Sequence, residues 1–77
     1  VQWSTGFDPY GLSAYSGSVY ATNFYRKKIY EYSDIGSLHT LWSTNNNAYP
    51  FDVEVNSNGI YVASIYGHVV QKYSNSG

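Results

Sequence analysis

Sliding the chain along itself by 41 residues lays residues 9–36 on residues 50–77 without a gap, and this self-similarity constrains the fold more than any other feature. Seven of the 28 pairs are identical: Pro9/Pro50, Ser16/Ser57, Tyr20/Tyr61, Tyr25/Tyr66, Tyr32/Tyr73, Ser33/Ser74 and Gly36/Gly77. Many others keep their type, such as Leu12 over Val53, Ala14 over Val55, Val19 over Ile60 and Ile29 over Val70. Trp42-Ser43-Thr44 also matches Trp3-Ser4-Thr5, at a spacing of 39. The opening residues therefore correspond to the end of a unit, not its start. The sequence reads as two circularly permuted repeats.

Each repeat predicts four short strands. The first is Leu12–Tyr15 or Val53–Asn56, followed by a turn at 16–18 or 57–59, where Asn58-Gly59 is a hairpin signal. The second is Val19–Thr22 or Ile60–Ala63. After a loop comes the third, Lys28–Tyr32 or Val69–Tyr73. A turn at 33–36 or 74–77 precedes the fourth, Leu38–Trp42, whose counterpart is Val1–Trp3. Composition agrees. Ten Tyr, with Trp and Phe, bring the aromatic share to 19%, and such residues favour strands. The predicted fold class is all-β, and four strands in some 40 residues is the period of a propeller blade.

A net charge of −1 with 12% charged residues supplies no basic field, which argues against a nucleic-acid partner or a polybasic membrane module. No apolar run approaches the ~20 residues of a membrane span. With no Cys there is no disulfide and no thiolate metal site, and compartment cannot be read from cysteine usage. The chain opens on Val1 without Met, which reads as a processed, trimmed or excised terminus. No nucleophile elbow, zinc-protease motif or phosphate loop occurs, so the expectation is no enzyme, no cofactor and no metal. Glu54 on an inner strand is expected to be a solvated channel or rim residue, although three copies of it could ring a channel.

The run from Pro50 to Ser64, followed by Val69-Val70-Gln71-Lys72-Tyr73, resembles an NHL repeat. Pro9-Tyr10-Gly11-Leu12, Val19-Tyr20-Ala21-Thr22-Asn23 and Gly36-Ser37 resemble a YWTD repeat of the lipoprotein-receptor type. Both resemblances imply a β-propeller, commonly six-bladed, and suggest a protein–protein adaptor. The receptor likeness points outside the cell.

Two blades leave their outer faces bare, and a repeat array needs about three or more units to bury its core. The expectation is a homotrimer of two-blade chains closing a six-bladed ring. The first blade spans about 9–44 and the second about 50–77, with its last strand supplied by residues 1–5 of a neighbouring chain.

On one end of such a ring the loops would gather Phe24, Tyr25, Arg26, Asn46, Tyr49, Tyr66 and His68, the candidate ligand-binding residues. Tyrosine rings stack on the flat faces of sugars, while Asn, Arg and His supply directed hydrogen bonds. Tyr25 and Tyr66 either face a ligand or fold back to cap the core between blades. Non-catalytic carbohydrate binding is the expected function. The alternatives are a protein adaptor and a self-assembling scaffold with no selected ligand.

Overall fold

The computed structural model describes residues 2–44, 48–66 and 68–74. Seven strands follow one another: β1 (Pro9–Tyr15), β2 (Ser18–Asn23), β3 (Lys28–Ser33), β4 (Leu38–Ser43), β5 (Pro50–Asn56), β6 (Gly59–Ser64) and β7 (Val69–Tyr73). Among the described residues there is no helix. The strands form two antiparallel sheets, one of four strands in the order β1-β2-β3-β4 and one of three in the order β5-β6-β7. The chain is all-β, as the repeat and the aromatic-rich composition required.

The two sheets share their irregularities. β1 slips register against β2 between Pro9 and Leu12, and β5 slips against β6 between Pro50 and Asp52, the equivalent place. Lys27 (φ 58°) and His68 (φ 54°), 41 residues apart, both adopt the left-handed backbone just before β3 and β7. The first hairpins differ. Ser16 (φ 52°) and Gly17 (φ 80°) form the pair of left-handed residues that a two-residue turn matched to strand twist requires.

In the second sheet the turn expected at 57–59 is one residue shorter. The loop is Ser57-Asn58, closed by the Asn58 N–H donating to Asn56 Oδ1 at 2.8 Å, and Gly59 opens β6. Gly59 is required there for another reason. Its φ is 148°, and a Cβ would lie 2.7 Å from the Tyr73 carbonyl oxygen.

One face of each sheet makes the core. Paired residues point the same way, so Tyr20, Ile29 and Trp42 share a face of the first sheet, and Val53, Val55, Ile60, Val62 and Tyr73 share a face of the second. These two faces meet, and Trp42 packs edge-on against Tyr73 at 6.1 Å. Polar bonds pin the strands nearest the junction. Thr22 Oγ1 accepts the Gly11 N–H (2.8 Å) and donates to the Phe51 carbonyl (3.3 Å), and Ser13 Oγ accepts the Val55 N–H (3.0 Å).

Gly11 marks a close approach of β1 to β5: a Cβ there would sit 2.6 Å from Asp52 Cα. Gly11→Ala must push the sheets apart, and we expect it to cost about 1–3 kcal/mol in a urea melt, the range for overpacking. A melt within 0.3 kcal/mol of the parent would contradict that contact.

The opposite faces lack a partner sheet. The molecule is a slab of 34 × 27 × 15 Å, thick enough for two layers only. On the first sheet Leu12 is 67% exposed, and a hollow of about 250 Å³ runs over Leu12, Val19, Ala21 and Tyr32. Trp3 lies on Tyr32 (5.9 Å) and Phe7 on Tyr30 (4.7 Å), so residues 2–8 cover part of this face. On the second sheet Val70 is 71% exposed beside Tyr61 and Ala63. Gln2 and Trp3, the described part of the predicted Val1–Trp3 strand, are not in a strand of this single chain.

Candidate functional site

The loops after β2 and β6 and the segment before β5 converge at one end of the two sheets. Phe24 sits at the centre. It is 6% exposed and touches Tyr10 (5.3 Å, stacked), Tyr25 (5.1 Å), Tyr49 (5.2 Å), Phe51 (6.4 Å) and Tyr66 (6.0 Å). Tyr49 and Tyr66 meet at right angles, 5.3 Å apart. The result is an aromatic cluster with a buried hub and a rim of hydroxylated rings.

Of the residues singled out from sequence, the structure brings Phe24, Tyr25, Tyr49 and Tyr66 into contact. Phe24 is covered by neighbouring rings and supports the cluster from beneath. Tyr25 and Tyr66 are each 69% exposed, the geometry of a rim and not of a core cap. Tyr49 is half-buried, with the Lys27 ammonium 4.7 Å over its ring. Arg26 is exposed, with its backbone N–H donating to Asn23 Oδ1 at 3.3 Å. His68 is exposed, and no ring contact ties it to the cluster among the described residues. Asn46 lies outside the described residues, with Asn45 and Asn47.

Sequence reasoning passed over Tyr10 and Phe51, which join the cluster 5.5 Å apart. They are equivalent positions next to Pro9 and Pro50, and both fall within the register slips of β1 and β5. Strand alternation could not place them, because the slip turns them away from the regular faces.

The Tyr10 and Tyr25 hydroxyls lie 3.3 Å apart. This hydrogen bond, then desolvation, raises the Tyr10 hydroxyl above the ordinary tyrosine value. Burial raises Tyr20, with Glu31 adding to the effect, and burial also raises Tyr32. All three shifts favour the neutral phenol in the folded state. Their stabilisation is therefore complete below the unfolded pKa near 10 and is lost as pH rises through the folded values. We expect the melting temperature to fall once pH passes about 10, with these three rings ionising late in an alkaline absorbance titration of the folded protein. Ionisation of every tyrosine at the ordinary value, with the fold intact, would contradict this.

Among the described residues, no three His, Asp or Glu side chains are grouped to hold a metal ion. Glu54 is exposed on the outer face of the second sheet. His39 Nδ1 lies 3.9 Å from Glu31, itself bonded to the Ser18 hydroxyl. Ser18 and His39 both address the same Glu31 oxygen, so the imidazole is not placed on the hydroxyl. Comparison with family models, curated proteins and solved structures finds no match.

Proposed function

We propose that this chain forms two blades of a β-propeller, that three copies close a six-bladed ring, and that the aromatic end of the ring binds carbohydrate without catalysis. The ring is supported by an equivalence between covered and bare faces. Val53, Val55, Ile60, Val62 and Tyr73 are packed inside, and their equivalents Leu12, Ala14, Val19, Ala21 and Tyr32 lie on the outer face of the first sheet, where Leu12 and Ala14 are exposed and Ala21 and Tyr32 are buried with Trp3 lying over Tyr32. Tyr20 and Ile29 are packed inside, and their equivalents Tyr61 and Val70 form the bare face of the second. Each copy thus carries, on opposite sides, the two halves of an interface it already contains. Such head-to-tail contacts close into rings when the rotation allows.

The short second sheet fits the same scheme. Among the described residues the second sheet has three strands, ending on β7, and residues 2–5, equivalent to the end of β4, belong to no strand. Thr44 N–H donates to the Lys27 carbonyl at 2.9 Å. The counterpart bond would run from Thr5 of one copy to His68 of the next, and His68 already holds the backbone conformation of Lys27. Trp3 on Tyr32 repeats the contact of Trp42 on Tyr73. Ile65, the equivalent of buried Phe24, is left exposed where the next copy would cover it.

The binding reading is carried by one observation: two equivalent tyrosines, Tyr25 and Tyr66, stand exposed on a shared aromatic base. Exposed rings of this kind are disfavoured unless they meet something, and a flat sugar face is a natural partner. Repetition around a trimer would convert weak single-site affinity into avidity. A glycan array at millimolar equivalents tests it, and silence towards every sugar would reject it. The exposed Phe51 in the same cluster favours the adaptor as the second reading, with the ring unchanged.

A further inference from the structure

Beside Tyr25 a separate cleft of about 540 Å³ opens between residues 5–8 and the β2–β3 loop. Its polar lining is unusual for this chain. Arg26 and Lys28 bring two cations and Asp8 one carboxylate, while the only ion pair among the described residues is His39 with Glu31. Lys28 Nζ is 3.2 Å from Ser43 Oγ, a contact that leaves its charge uncompensated.

Asn23 also lines the cleft at 5% exposure. The Arg26 backbone N–H donates to its Oδ1 at 3.3 Å, which holds the side-chain amide at the cleft wall. The Tyr25 and Tyr30 rings supply the apolar walls, and Tyr30 is backed by Phe7 at 4.7 Å.

The second blade serves as an internal control. Where the first has Asp8, Asn23, Arg26, Lys28 and Tyr30, the second has Tyr49, Ser64, Gly67, Val69 and Gln71, with no charge among them. Blade architecture therefore does not need these charges, and they are confined to one cleft per chain.

We propose that this cleft binds a carboxylate-bearing sugar, a uronic-acid unit. Arg26 and Lys28 take the carboxylate by charge-assisted bonds, Asn23 Nδ2 donates to a ring or hydroxyl oxygen, Asp8 accepts sugar hydroxyls, and the pyranose face lies on a tyrosine. The inference rests on the reading of this end of the molecule as a carbohydrate surface and names the class it prefers.

The test is calorimetric titration of the intact assembly with methyl glucuronoside, methyl glucoside and acetate. The expected result is glucuronoside bound at least about tenfold tighter than either of the others, the scale of one charge-assisted hydrogen bond. Arg26→Gln should remove that advantage while the assembly keeps its mass, since Arg26 is exposed. Equal affinity for glucoside would overturn the acidic preference and leave the carbohydrate reading standing. Acetate binding as tightly as glucuronoside would reduce the cleft to an anion site and overturn the proposal. No binding of any probe would remove both readings, and an Arg26→Gln protein with the parent's preference would remove the assignment to this cleft.

Discussion

Leu12→Asp and Val70→Asp, made separately, are each expected to reduce the assembly to single 8.7 kDa chains, and an equimolar mixture of the two is expected to give dimers that grow no further. Leu12 and Val70 lie on opposite outer faces and are among the most exposed apolar side chains. In the closed ring each would be covered, and an aspartate there would be buried without a partner. That costs several kcal/mol, and about 4 kcal/mol is already a thousandfold in association. Neither change touches the internal core, so the isolated chain should keep its strand signature in circular dichroism.

The mixture isolates the geometry. A Leu12→Asp copy still owns an intact Val70 face, and a Val70→Asp copy still owns an intact Leu12 face. One good junction can form between them, and both ends of the pair are then blocked. A face-to-face, self-complementary interface predicts something else: one of the two variants would assemble normally alone. Sedimentation of each variant and of the mixture distinguishes the two outcomes.

The second large effect concerns the aromatic end. Tyr25→Ala combined with Tyr66→Ala is expected to weaken sugar binding at least a hundredfold, since two exposed anchor rings at roughly 2 kcal/mol each are removed. The assembly mass and melting curve should change little. Both side chains are mostly solvent-exposed, and Phe24 keeps Tyr10, Tyr49 and Phe51 around it. Isothermal titration beside sedimentation reads the two consequences separately. If the double variant instead loses the assembly, the rings are part of the blade-to-blade packing and the binding surface lies elsewhere.

Strand positions were legible in the sequence because two independent signals agreed at each one, the alternation within a strand and the repeat across the chain. Every predicted strand from Leu12 to Tyr73 falls inside an observed one. The slips at Pro9–Leu12 and Pro50–Asp52 carried no such signal, so Tyr10 and Phe51 could not be aimed. The turn at 57–59 was found, but Gly59 opens β6 instead of closing the turn, because this glycine answers to the Tyr73 carbonyl across the sheet.

In the loops there is no periodicity to decide which ring goes inside. The repeat nonetheless held a hint. It pairs Tyr25 with Tyr66, both keeping a hydroxyl for water, while Phe24 pairs with Ile65, neither of which has one. Phe24 is covered and Ile65 is exposed because only Phe24 has a following sheet in the same chain. The charged cleft was the hardest to foresee. Asp8 and Arg26 are far apart in sequence and come together only when residues 5–8 fold across the end of the first sheet.

The close contact at Gly11 bears on the proposed ring. Inside a chain Gly11 lets β1 and β5 draw together, but between copies the equivalent partner of Gly11 is Asp52, which carries a side chain. In the proposed ring, junctions between copies would therefore stand wider at the centre than junctions within them, and the ring would alternate around a threefold axis.

Whether bare walls recruit copies of this chain is decided by its mass in solution. Sedimentation equilibrium of the unmodified chain at micromolar concentration should give three times 8.7 kDa, with assembly and unfolding lost together on heating. A single species of 8.7 kDa that melts cooperatively would contradict the ring and every junction drawn from it.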